Sequence, residues 1–222
     1  MEADLPAALA ERLAQGHLPG REAQRRLEPG LGFGRHFEPP THRARPAAVV
    51  ALLYPAPQGW RLPLTVRPTT LRGHAGQISL PGGVVEPGET SQTAALRELE
   101  EELGVARHCV RLLGRLSPLY VFVSEFQISP WVAAVAERPT FRPSPDEVSE
   151  LLEIPLAHLL DPANRGVHRR RQRGIELTAP HFLWGRHRIW GATAMILSEL
   201  VATIAETTAG GPGANEPVRW IS

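Results

Sequence analysis

The chain has 222 residues, 42% of them hydrophobic and 21% charged, with a formal net charge of +1. That size and balance fit one well-packed globular domain with additions, and so small a net charge makes no case for bulk attraction to nucleic acid or to a membrane surface. A single cysteine, Cys109, excludes an internal disulfide framework and a cysteine-cluster metal site, and no apolar run is long enough to cross a bilayer.

The opening segment, MEADLPAALAERLAQGHLPG, lacks the basic start and long apolar core of a secretory leader. With one cysteine, this makes the cytoplasm the expected compartment. Residues 6–15 predict a short amphipathic helix, with Leu5, Ala8, Leu9 and Leu13 near one stripe. A polar stretch with Gly30, Gly32 and Gly34 follows. Residues 1–44 hold too little apolar material for a domain of their own, so they read as an extension packed on or beside a core at 45–207.

The core opens with a buried-strand pattern at 47–54, AAVVALLY. A second strand is expected at 61–67, where Pro63 implies at least one free edge. Residues 68–83 predict a loop around a short strand at 77–80. A helix is expected at 91–103, capped by Thr90 or Ser91, stopped by a left-handed Gly104, and carrying Leu96, Leu99 and Leu103 as its core stripe. Strands follow at 110–116 and 127–135, and the intervening 117–125 fits a strand extension or a hairpin.

Short helical pieces are expected at 148–154 and 156–160 around Pro155, then a polar, basic loop at 164–174 (NRGVHRRRQRG). Residues 175–184 predict a hairpin or strand pair. A longer helix is expected at 192–206, with Ile196, Leu197, Leu200, Val201 and Ile204 turned inward, before a loose Gly/Pro-rich tail at 208–222. This order predicts an α/β (α+β) fold with a mixed sheet.

The chemistry concentrates in residues 82–105, GGVVEPGETSQTAALRELEEELGV. Glu98, Glu101 and Glu102 are spaced to share one broad face of the helix, with Leu99 and Leu103 anchoring the other. Their mutual repulsion is relieved by protonation or by a cation, and hard divalent ions favour such an oxygen-rich setting. Gly82 and Gly83 let backbone approach a ligand closely. Arg97 is placed to pair with Glu89 and hold the loop to the helix. ELEEEL by itself reads as an exposed acidic surface; the glycine turn, Arg97 and Glu89 are what set it apart.

Residues 83–105 carry Gly83, five residues, Glu89, seven residues, Arg97-Glu98-Leu99, one residue, Glu101-Glu102, one residue, and Gly104-Val105. This resembles the signature of the Nudix hydrolase family. The resemblance implies an α/β/α sandwich with a mixed sheet and hydrolysis of a nucleoside diphosphate linked to another group. It also implies Mg²⁺ or Mn²⁺ held by Glu98, Glu101, Glu102 and the Gly83 backbone oxygen. Glu98, Glu102, Arg97 and Glu147 form the expected catalytic set, with Glu89 as support. The general base is Glu98 or a loop glutamate, and of the loop candidates Glu147 is preferred to Glu150.

Upstream, Leu64, Thr65, Arg67, Leu71, His74, Gly76-Gln77 and Ser79 resemble the coenzyme A diphosphatase branch of that family, as do residues 189–194. That resemblance implies cleavage of coenzyme A to 3′,5′-ADP and 4′-phosphopantetheine, with Arg67, His74 and Gln77 touching substrate. The basic run 168–173 either contacts a 3′-phosphate or is solvated. Trp184 and Trp190 either stack on adenine or pack beside the last helix. The alternatives are another nucleoside diphosphate derivative, such as ADP-ribose, or a non-catalytic nucleotide-binding protein. Expected partners are coenzyme A and a second copy of the chain, with no nucleic acid and no membrane.

Overall fold

A computed structural model describes residues 5–30, 35–69, 76–172 and 175–209. At its centre is strand β1 (Arg45–Ala56), apolar on both sides. Ala48, Val50, Leu52 and Tyr54 join one core cluster, with Ala94, Ala95, Leu99 and Leu103 of helix α3 (Ser91–Leu103). Ala51 and Leu53 join the other cluster, with Leu197, Leu200 and Ile204 of helix α5 (Ala192–Ala209). Residues that alternate along a strand point to opposite faces. The unbroken apolar run therefore records a strand covered on both faces, and the fold is an α/β/α sandwich.

The main sheet is mixed. β1 runs parallel to β7 (Phe126–Ala134) and antiparallel to β2 (Gly59–Val66) and β4 (Gly82–Val84). β7 also pairs antiparallel with β5 (Arg111–Arg115) and β6 (Leu119–Val121), so the undecided 117–125 segment makes a hairpin. Along one edge of β2, Gly59–Arg61 face β1 and Thr65–Val66 face β3 (Ile78–Ser79). Pro63 lies in the gap between those partners, where its missing N–H costs no ladder bond.

Three expectations are corrected. The segment expected to be helical at 148–154 is mostly strand β8 (Glu150–Pro155), antiparallel to β2 from Arg61↔Pro155 to Val66↔Glu150. Leu152 and Ile154 alternate into the core, and pairing covers the open edge of β2. Helix α4 (Leu156–Leu160) then begins as expected. The basic segment read as a loop is strand β9 (Arg165–Gln172), in a three-stranded antiparallel sheet with β10 (Ile175–Trp184) and β11 (His187–Trp190). Residues 175–184, expected as a hairpin or strand pair, form one continuous strand, β10.

The N-terminal segment forms α1 (Leu5–Ala14) and a short α2 (Gly20–Arg25) that the sequence reading did not anticipate. Both pack on α5, with Leu9, Leu13 and Leu27 in the shared core. A buried polar staple fixes α2. Gln24 Nε2 donates to Glu199 Oε2 at 2.7 Å, the Ser117 N–H donates to Glu199 Oε1 at 3.0 Å, and Ser198 Oγ donates to the Ala23 carbonyl at 2.7 Å. Glu199 is fully buried, and burial raises its pKa. Gln24→Ala should leave this carboxylate short of a donor and destabilise the fold by about 1–3 kcal/mol. Urea unfolding checks this, and a midpoint equal to the parent's would contradict it. No helix among the described residues is long and apolar enough to cross a membrane.

Candidate metal centre

Helix α3 carries the site, and its ends are well defined. The Thr90 side chain accepts from the Thr93 N–H at 3.1 Å, and Gly104, at φ 69°, returns its N–H to the Glu100 carbonyl at 2.9 Å. Ala94, Ala95, Leu99 and Leu103 are buried against β1, which fixes the rotation of the helix. That rotation places Glu102 inward, at 3% exposure, with Glu98 beside it.

A third carboxylate arrives from the 142–149 loop. The N–H groups of Arg142 and Ser144 donate to the carbonyls of Leu103 and Glu102, both at 2.8 Å. The Ser149 N–H donates to the Val66 carbonyl at 2.8 Å, and Val148 is buried in the α3-side core. Pinned at both ends, the loop delivers Glu147. Glu98, Glu102 and Glu147 each offer an oxygen, all within 4.8 Å of one another.

The electrostatics of the group favour a hard cation. Burial is the first cause of a Glu102 pKa pushed up to about 8, reinforced by Glu98 and Glu147 and opposed by the Gly82 N–H and Arg67. Burial also raises Glu98, against the pull of Arg97. Converging carboxylates that resist ionisation when alone fit a divalent ion, whose charge removes both desolvation and repulsion costs. A hard divalent ion suits an all-oxygen set of this kind.

Glu101 stands apart from the three. Its side chain is half exposed and accepts from Arg97 Nη1 at 2.9 Å. Arg97 is the hub of the support structure. Its Nε and Nη2 fork onto Glu89 at 3.1 and 3.2 Å, Nη2 also reaches the Val84 carbonyl at 3.1 Å, and Nη1 reaches Glu98 at 2.8 Å. The fork holds Glu89 below the usual carboxylate range. The charge pair expected from the sequence thus ties the β4 loop to the helix.

Gly83 lies opposite Ala48 in the ladder, hard against the helix. A Cβ there would stand 2.3 Å from Glu98 Oε1. Gly83→Ala should therefore push the Glu98 carboxylate out of the group at little cost to the fold. The expected result is an unchanged melting temperature and a fall of about 10–100-fold in Mg²⁺-supported turnover. Full activity in the alanine variant would contradict the close approach.

Of the residues matched to substrate, Arg67 follows β2, with its N–H on the Gln77 carbonyl at 3.0 Å and its carbonyl accepting from Gly76 at 3.1 Å. Its Nε is buried with no hydrogen-bond partner among the described residues, and its charge acts on Glu102. Gln77 thereby flanks the site through its backbone, while His74 lies outside the described residues. Glu150 is elsewhere, paired with Arg186 at 3.0 Å and His187 at 3.2 Å. One role was missed. Thr65, named above only within the upstream resemblance, is 1% exposed and directs its hydroxyl at Glu102 from 3.5 Å. Beyond that resemblance, its signal in the sequence is a polar residue at a buried strand position.

Residues 44–173 match the model of the NUDIX domain. The chain is 36% identical over 174 residues to the uncharacterized Nudix hydrolase NudL of Pectobacterium atrosepticum, covering 75% of this chain and 86% of that one. It is 37% identical over 174 residues to the human mitochondrial coenzyme A diphosphatase NUDT8, covering 75% and 73%. Among solved structures, the MutT protein of Methanosarcina mazei Go1 aligns with a TM-score of 0.48 at 18% identity, covering 73% of this chain and 96% of that one.

Proposed function

From the premise that this chain belongs to the Nudix hydrolase family, we propose that it hydrolyses the diphosphate of coenzyme A or its derivatives, giving 3′,5′-ADP and 4′-phosphopantetheine or its acyl form. The observation that carries the reading is the convergence of Glu98, Glu102 and Glu147 within the field of Arg67, whose buried Nε has no hydrogen-bond partner among the described residues. That pairs a cation site with an anion-seeking guanidinium at one place.

Glu98 and Glu102 would hold Mg²⁺ or Mn²⁺, with the Gly83 carbonyl as a further oxygen donor and Glu101 joining only on leaving its pair with Arg97. The ion, when bound, polarises the diphosphate and acidifies water. Glu147, the carboxylate that comes from a loop, orients the attacking water and takes its proton. The water oxygen bonds to one phosphorus, the bond from that phosphorus to the bridging oxygen breaks, and the other phosphate leaves. Arg67 steadies the charge on the phosphates, Gln77 and His74 contact the substrate as the upstream resemblance implies, and Arg97 and Glu89 position Glu98. The cytoplasm is the proposed setting, on the strength of the lone free Cys109.

Support for coenzyme A comes from the upstream residues Thr65, Arg67 and Gln77 and from the similarity to a coenzyme A diphosphatase. The test is product analysis with purified protein, Mg²⁺ or Mn²⁺, and a panel of coenzyme A, acyl-coenzyme A, ADP-ribose and dinucleotides. Release of 3′,5′-ADP and 4′-phosphopantetheine at the highest kcat/KM of the panel is expected. Preferential turnover of ADP-ribose would overturn the substrate assignment.

A further inference from the structure

The β9–β10–β11 sheet carries a feature that the diphosphate chemistry does not use. Across its ladders His168 faces Ala179, Arg170 faces Leu177, Trp190 faces His181 and Arg188 faces Leu183. Residues directly opposite in a ladder share a face, and so do alternate residues along a strand. Arg170, His168, His181, Trp190 and Arg188 therefore line one face. Phe182 and Ile189, on the opposite face, belong to the main core, and on the cationic face Arg170 and Arg188 are exposed while Leu177, Ala179 and His181 are buried.

Its side chains are held by one another. The Arg170 guanidinium lies 4.5 Å over the Trp190 ring, and His168 meets Trp190 edge-on at 6.3 Å. His168 Nδ1 is 3.1 Å from Nδ1 of His181, which is 5% exposed. In such a pair one Nδ1 donates and the other accepts, so one ring carries an Nε2–H. Burial is the first cause that holds both rings low, joined at His168 by His181, Arg188 and Arg170 and at His181 by Arg188. The two arginines give the face its positive charge, which attracts an anion.

β11 connects this sheet to the strands that carry the metal centre. β11 packs against β3, and Thr193 Oγ1 donates to the Ile78 carbonyl at 2.9 Å. Ser79 of β3 pairs with Thr65, whose hydroxyl points at Glu102. The β10–β11 turn is tied through Arg186 and His187 to Glu150, three residues beyond Glu147. We propose that this face is a phosphate cradle, in which Arg170, Arg188 and the His168–His181 pair bind a phosphomonoester on the nucleoside half of the substrate, apart from the diphosphate being cut. The proposal rests on the coenzyme A reading, in which that group is the 3′-phosphate.

The test compares coenzyme A with 3′-dephospho-coenzyme A in the full chain with Mg²⁺. The double variant Arg170→Gln/Arg188→Gln should lose about tenfold or more of the kcat/KM preference for coenzyme A, through KM. Arg111→Gln, an exposed charge on β5, should keep the preference. An unchanged preference in the double variant overturns the cradle and leaves the substrate reading standing. If neither compound is turned over, the substrate reading fails, and calorimetry with adenosine 3′,5′-bisphosphate in chelator decides the cradle separately. Binding that the double variant loses supports it; equal binding, or none by the parent, overturns it.

Discussion

Glu102→Gln is expected to lower metal-supported turnover on the order of a thousandfold while leaving the metal-free protein at least as stable as the parent. The two effects have one source. Glu102 is 3% exposed, and burial pushes its pKa up to about 8 from an ordinary 4.5. A folded-state value above the unfolded one means that the fold binds a proton the unfolded chain has released. The associated stability is fully present below pH 4.5 and is lost as pH rises through about 8. In chelator, the parent should therefore lose melting temperature between those limits, and the variant, with nothing to ionise at 102, should lose less. Mg²⁺ should raise the melting temperature of the parent at the upper limit and barely move the variant. Undiminished turnover, or parallel pH curves for the two proteins in chelator, would contradict the placement of Glu102.

The same helix explains what the sequence could and could not convey. Its limits, Leu99 and Leu103 of its core stripe and the Arg97–Glu89 pair were legible because they depend on neighbours within about a dozen residues, whereas Leu96 is only half-buried and Ala94 and Ala95 complete the stripe. The double-sided burial of β1 was legible because a strand covered on both faces needs a continuous apolar run. The spread of the three glutamates was not. Helical spacing puts Glu98, Glu101 and Glu102 within one wide arc, but the packing of Leu99 and Leu103 turns Glu102 inward and leaves Glu101 to Arg97. The delivery of Glu147 depends on backbone bonds to Leu103, Glu102 and Val66, the last far away in sequence. β8 was hidden because SPDEVSE carries helix-start residues just ahead of ELLEIP, and only pairing with β2 decides between the two periods. β9 was hidden because consecutive arginines mask alternation, and only its pairing with β10 fixes it as a strand.

Arg97→Lys should lower kcat by about 10–100-fold with little change in KM, although the charge is kept. The guanidinium serves Glu89, Val84, Glu98 and Glu101 at once, with five contacts between 2.8 and 3.2 Å. A lysine offers one nitrogen on a flexible stem and cannot span the Glu89 fork while also holding Glu98. The loss falls on kcat because Arg97 acts through Glu98, whose carboxylate would no longer be fixed relative to Glu102 and Glu147. The concentration of Mg²⁺ needed for half-maximal rate should rise for the same reason. Glu89→Gln removes the other side of the fork and should mimic the defect more weakly, since the Glu98 contact survives. Because both changes break one linkage, the double variant should be little worse than Arg97→Lys alone. A double variant whose loss is the product of the two single losses would show that Arg97 and Glu89 act independently and would remove the hub from this account. So would an Arg97→Lys enzyme whose Mg²⁺ requirement matches the parent's.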